Sequence, residues 1–319
     1  NWKITSCTLF QHELNKMYQW AVRNNSPFNG KKFVKITFGD EDDSTIFYQP
    51  NGSAISTSKN VRDLGVFMST DAKFDYHINN VIKGAQIMSA WVLRTFSTRE
   101  TAPMLTLYKP LVRSRAEHAS ILWSPTDARN IRNLENIQRR FTSKFAIFKT
   151  LNDTTNLMEC HTDYWERLRI LKLYSLERRR ERFMIFYMYN LHIGSVPSLG
   201  FLSTSNNRTK TKYIPKINYH SAAKIKSIRM SSFFTKGPKL FNLLPEELRE
   251  PVTDVTPNKF DELEAAFKKR VDKWLELVPD EPTTEGLQRA ADSNSIVDQV
   301  KIHGREIARK WKTISKSNK

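Results

Sequence analysis

The sequence predicts a mainly helical α+β protein, with helices carrying most of the chain and short antiparallel strands near its start. Three observations lead there. Apolar residues recur at helical spacing over long stretches, beginning with Leu9, Phe10, Leu14, Met17, Tyr18 and Ala21. Alternating runs of strand period, Lys32–Phe38 and Val61–Met68, are few and short. At 319 residues the chain can build two or three cores, since a domain usually takes about 100–200 residues.

Taken in order, the first helix covers residues 8–23, is closed by Asn24-Asn25-Ser26-Pro27, and should pack one face on a sheet. Lys32–Phe38 reads as a half-buried strand, and Gly39-Asp40-Glu41-Asp42-Asp43 as a solvated turn. Ile46-Phe47-Tyr48 returns as its hairpin partner before Pro50-Asn51-Gly52, and the chain then enters the strand at Val61–Met68, which turns at Gly65.

From Phe74 the period becomes helical: Ile78, Val81, Ala85, Met88, Val92 and Phe96 join it in a stripe of roughly 80° at 3.6 residues per turn. So narrow a stripe wants partner helices, and Met104–Ala116 and Asp127–Phe145 supply them. In the second, Ile131, Leu134, Ile137, Phe141 and Phe145 form one arc, and Arg129, Arg132, Arg139, Arg140 and Lys144 form the opposite one.

A further helical cluster begins at Tyr164-Trp165-Glu166-Arg167-Leu168 and continues through Leu176–Leu191, where apolar residues wrap widely around the helix and imply packing on more than one side, while the run Arg178-Arg179-Arg180 with Arg182 reads as an extension of the basic surface. Residues 195–232 are loop-rich and basic, and read as a segment that orders on binding. Phe233-Phe234 and Leu240–Pro245 reopen an apolar segment. Thr256-Pro257 offers an N-cap and a first-turn proline to a helix carrying Phe260, Leu263, Phe267, Val271 and Trp274.

Charge narrows the function. The net charge is +18, and residues 61–250 hold 31 basic against 16 acidic residues, so the excess sits in the middle of the chain. Aromatic residues are interleaved with the arginines there, which fits a folded surface for a polyanion rather than a disordered basic tail.

Cys7 and Cys160 are too few for a disulfide framework or a four-cysteine zinc module, and Cys160-His161 has no second pair at ligand spacing. No apolar run approaches the roughly 18 residues of a membrane span, and no signal peptide opens the chain. An intracellular protein, nuclear or cytoplasmic, without a membrane partner is expected. Glycine-rich nucleotide loops and Gly-x-Ser-x-Gly phrases are absent, which removes support for nucleotide-cofactor and hydrolase readings. A start at Asn1 running straight into a helix reads as a piece of something longer.

Together these residues resemble the C-terminal part of a LINE-type, non-long-terminal-repeat retrotransposon reverse transcriptase. Helix 8–23 resembles the palm helix after the catalytic strand pair, and Asn29-Gly30-Lys31-Lys32-Phe33 resembles the palm Asn-x-x-Lys motif. Arg62-Asp63-Leu64-Gly65-Val66 is similar to the family's primer-grip hairpin. Leu107–Arg113, Ala119–Pro125 and, most specifically, Leu134-Glu135-Asn136-Ile137-Gln138-Arg139-Arg140-Phe141-Thr142 resemble its thumb.

The resemblance, over roughly residues 8–275, implies a palm portion at 1–68, a helical thumb at 69–150, a basic, mainly helical C-terminal domain at 151–279, and a weakly structured tail at 280–319. It implies RNA-directed DNA synthesis by the full polymerase, with Mg2+ held by paired aspartates that precede this sequence, together with the fingers and the rest of the palm. This chain lacks that pair, has no metal set of its own, and is expected to be inactive alone.

The expected residual role is to grip an RNA–DNA duplex. Lys32 stands as a supporting lysine for the leaving pyrophosphate, and Leu64, Gly65 and Val66 as the primer-grip turn. Arg94, Arg99, Lys109, Arg113, Arg115, Arg132, Arg139, Arg140 and Lys144 stand as phosphate contacts. Two other classes fit the same residues: a domesticated nucleic-acid-binding protein without catalysis, and a helical protein-interaction module whose response to nucleic acid is weak and insensitive to salt.

Overall fold

Trp2–Arg23 form one helix, α1, but of its expected apolar face only Leu14 and Ala21 are buried, and Leu9, Phe10 and Met17 remain more than half exposed. Among the described residues no broad sheet lies against it. The helix is held instead by rings, with Tyr18 at 5.5 Å from Phe28 and 5.2 Å from Phe33, and by the Gln11 amide, which exchanges hydrogen bonds of 2.8 and 2.9 Å with the Tyr48 backbone. The structure is a computed structural model and describes residues 2–38, 45–152, 157–197, 202–207, 210–215, 228–249, 256–282 and 293–317.

The pairing of the first strands differs from the expected hairpin. β1 (Val34–Lys35) lies parallel to β2 (Ser56–Thr57), while Tyr48 bridges to Ala54 around Pro50-Asn51-Gly52. Lys32 does not start a strand. It ends a 3-10 turn, Gly30–Lys32, that Asn29 caps by accepting the Lys31 N–H at 3.1 Å. A side chain that satisfies a backbone donor locally removes it from a ladder. The acidic turn at Asp40, Asp42 and Asp43 lies outside the described residues.

The hairpin at Gly65 matches its expectation. β3 (Asn60–Asp63) and β4 (Val66–Ser69) pair antiparallel, from Asn60 opposite Ser69 to Asp63 opposite Val66. Leu64 and Gly65, at φ 45° and 90°, form the two-residue turn whose left-handed geometry suits the twist of the strands.

The chain divides into two units, Asn1–His77 and Ile78–Lys319. α2 (Asp75–Thr95) buries Ile78, Ala85 and Val92 along the predicted stripe. α3 (Thr101–Leu107) runs into a π segment, Tyr108–Arg113, and then α4 (Ser114–Glu117). Pro110 has no N–H to donate and its ring crowds the preceding turn, which accounts for the local widening. α5 (Ser120–Trp123) and α6 (Ala128–Thr142) follow.

After the hairpin of β5 (Lys149–Asn152) and β6 (Leu157–Cys160) come α7 (Tyr164–Leu171) and α8 (Leu176–His192). Within residues 195–232, read from sequence as loop, β7 (Leu202–Asn207) and β8 (Lys210–Pro215) form an antiparallel ladder. Arg208, Lys216, Lys224 and Lys226 of that stretch lie outside the described residues.

The main core gathers around α8. Met184, Ile185, Met188 and Tyr189 meet Phe241 of helix Phe233–Leu243, Phe267 and Trp274 of helix Phe260–Leu275, and Ile307 and Trp311 of helix Ile296–Ser317. Tyr189 and Phe267 stack at 3.8 Å. Gly237 lets its helix close on α8, because a Cβ there would stand 2.7 Å from the Phe233 ring and 3.0 Å from Met188.

The tail expected to be weakly structured therefore contributes a core helix; its apolar period was too interrupted by charge to stand out. Among the described residues no helix is long and apolar enough to cross a membrane.

Candidate nucleic-acid interface

α6 begins where Asp127 caps it, accepting the Asn130 N–H at 2.8 Å. Leu134, Ile137 and Phe141 are buried as expected, but the covered arc also takes in Glu135, Gln138 and Thr142. What remains outside is a stripe of roughly 100° holding Arg129, Arg132, Asn136, Arg139 and Arg140. A regular helix fixes these groups in one row, so cations along it face a polyanion together without an ordering cost at the backbone.

Arg132, Arg139 and Asn136 line one cleft of about 620 Å³ with Trp165. The Arg139 guanidinium lies over the Tyr164 ring at 4.3 Å and beside the Trp165 ring at 5.9 Å, which holds the charge against the cleft wall. Arg140 and Lys144 are exposed on the same segment.

The other expected phosphate contacts are distributed differently. Lys109 and Arg115 are exposed on the π segment and α4, and Arg94 is exposed near the end of α2. Arg99 is engaged as a cap on the end of α2: its guanidinium donates to the carbonyls of Leu93 and Thr98 at 2.6 Å and of Phe96 at 2.5 Å. Arg113 faces Glu117 at 3.6 Å, and the same carboxylate takes both arms of Arg179.

Lys32 and the turn Leu64-Gly65-Val66 belong to the first unit. Lys32 is exposed, and Leu64 is 89% exposed at the tip of its hairpin while Val66 is buried beneath it. A leucine held at φ 45° costs on the order of 1–2 kcal/mol, and such strain is found where a backbone or side chain has to be presented. Leu64→Asn, which tolerates that conformation, should slow amide exchange at Asp63 and Val66 about fivefold, equivalent to roughly 1 kcal/mol; unchanged exchange would show that the turn is unstrained.

Behind α6 lies a polar cluster that sequence reasoning missed. The Glu135 carboxylate receives the Tyr164 hydroxyl and the N–H groups of Leu176 and Glu177, at 3.0 and 3.3 Å, and so caps α8 from a distant helix. Gln138 joins the Tyr108 hydroxyl, at 2.8 Å, to Tyr164 and the Tyr174 carbonyl, at 3.0 and 3.1 Å.

The arginines of α8, which the sequence suggests are surface charge, turn inward. Arg178 donates to the Val278 and Pro279 carbonyls at 3.0 and 2.5 Å. Arg182 is bidentate on Asp272 at 2.5 and 2.6 Å. Arg180 is 1% exposed. The one signal in the sequence was the breadth of the apolar wrap around α8.

Burial raises the carboxyls facing these arginines, Glu177 to about 7 and Glu181 to about 8, from an ordinary 4.5. The folded chain then holds protons that the unfolded chain releases. The stability these two groups confer is full below about pH 4.5 and is lost as the pH climbs to about 8. Lys236, whose amine burial pulls down to about 8, acts above that window. The melting temperature is expected to fall between about pH 5 and pH 8, with Glu181→Gln flattening the profile. A profile that rises across this range would contradict the burial of the pair.

Among the described residues no group of three or more His, Cys, Asp and Glu is placed to hold a metal. Cys160 instead accepts from Arg167 at 3.1 Å. The chain matches no protein-family model, no curated protein and no solved structure.

Proposed function

We propose that this chain binds the template–primer duplex of a LINE-type reverse transcriptase, as the end of its palm followed by its thumb and C-terminal region. The observation that carries the reading is the α6 edge, where Arg129, Arg132 and Arg140 stand exposed in one row beside the cleft of Arg139 and Trp165. Guanidinium groups at helical intervals suit phosphates along a backbone and give affinity without sequence choice.

Leu64-Gly65-Val66 takes the part of the primer-grip turn in this reading, and Lys32 that of a supporting lysine. The described residues do not fit a Mg2+ site, so no polymerisation step is assigned to them. Activity belongs to a polymerase that supplies the paired aspartates.

The test is binding of a labelled RNA–DNA hybrid, with duplex DNA as competitor, across a salt series. A steep loss of affinity with rising salt is expected. No binding at low salt, or binding indifferent to salt, would overturn the reading and favour a protein-interaction module.

A further inference from the structure

The cleft beside α6 continues inward. It shares Thr126, Ile131, Glu177, Ser293 and Asp298 with a second cavity of about 230 Å³ walled by Arg180, Glu181 and Lys236. In that inner space Nε, Nη1 and Nη2 of Arg180 all lack a hydrogen-bond acceptor, and Oε2 of Glu177 lacks a donor, although both residues are buried.

The neighbours are already committed. Glu135 serves Tyr164 and the start of α8, Glu181 accepts the Ile296 N–H at 2.7 Å, and Lys236 donates to the Ser124 and Pro125 carbonyls at 2.7 and 3.2 Å. A buried guanidinium whose donors are all unused is costly unless something brings acceptors to it.

The lining selects among ligands. A bare anion would meet Arg180, Lys236 and Lys239 but also the carboxyls of Glu177, Glu181 and Asp298, and a metal ion would meet the three cations. A neutral ring bearing both donors and acceptors satisfies both kinds of group. The volume is below the roughly 300–1,000 Å³ of pockets for larger ligands, so a single base enters while its sugar and phosphate stay in the outer cleft. There Arg132 and Arg139 meet phosphate and Trp165 offers a ring face.

We propose that the inner cavity receives an unpaired guanine from a strand lying across α6, with Arg180 donating to O6 and N7 and Glu177 accepting from N1–H and the exocyclic amine. Guanine carries adjacent acceptors and adjacent donors on one ring; adenine has no carbonyl, and uracil and thymine have a single N–H. This site rests on the nucleic-acid reading above and adds base choice to it.

The test uses the full chain and two labelled single strands, a short thymidine oligomer and the same oligomer with one central guanine. The guanine strand should bind about tenfold more tightly, within the range of a good bidentate contact. Arg180→Lys keeps the charge but loses the fork, and should abolish that preference without changing affinity for the plain strand. If that variant fails to melt cooperatively, the near-isosteric Glu177→Gln takes its place with the same expectation. Equal binding of the two strands by the unaltered chain overturns the cavity assignment and leaves backbone binding standing. A thermal shift with free guanosine, lost in Arg180→Lys, in a chain that binds neither strand would sink strand binding and keep the pocket; no strand binding and no shift would overturn both.

Discussion

Glu135→Ala is expected to destabilise the larger unit by about 3–5 kcal/mol, the largest single-site effect in the chain. The carboxylate is 6% exposed and serves three donors at once, the Tyr164 hydroxyl and two N–H groups in the first turn of α8. Alanine leaves all three buried donors without that acceptor, and each unpaired buried group costs about 1–3 kcal/mol. The loss spreads through Gln138, whose amide is positioned by Tyr164 and Tyr108. It also frees the start of the helix on which the main core is built.

Glu135→Gln keeps the shape and one acceptor, and is expected to cost roughly 1–2 kcal/mol. Chemical denaturation followed by circular dichroism measures both. An alanine variant within about 1 kcal/mol of the unaltered chain would mean that the cluster does not hold α8, since surface changes rarely exceed 0.5 kcal/mol.

That cluster also marks where the sequence stops being readable. The stripe of α2 and the core positions Phe267, Val271 and Trp274 follow from apolar period, and the structure places them as expected. Periodicity separates apolar from polar residues but does not say which polar residues are buried. Arg178 and Arg180 look like solvated charge in the run Arg178-Arg179-Arg180, and they are buried because Val278, Pro279 and carboxyls from other helices surround them. Val278 and Pro279 lie about a hundred positions along the chain from Arg178, beyond any local pattern.

The same limit explains the parallel pairing of Val34 with Ser56, which no turn signal encodes. The helix Ile296–Ser317 is a related case, its buried Ile296, Ile307 and Trp311 being spaced among charges. Net charge is also a poor guide to surface charge here. Arg99, Arg178, Arg179 and Arg182 are each engaged with carbonyls or carboxylates, so the usable cations are fewer than +18 suggests.

The remaining cations are concentrated enough for a sharp test. Replacing Arg132, Arg139 and Arg140 together with alanine should weaken hybrid binding about a hundredfold near physiological salt, taking roughly 1 kcal/mol for each exposed phosphate contact. The slope of log affinity against log salt should become shallower by about 0.9 for every contact removed, close to three units for the triple change.

Stability should barely move for Arg140, which is exposed, and slightly for Arg139, which loses its place over Tyr164. The informative control removes the same charge elsewhere, from Arg305, Arg309 and Lys312 on the exposed side of helix Ile296–Ser317. If the α6 edge tracks a phosphate backbone, the control keeps most of the affinity and nearly the full slope, because screening confines exposed charges to about 8–10 Å of reach at physiological salt. Equal losses in the two variants would mean that diffuse charge attracts the polyanion and that α6 carries no interface.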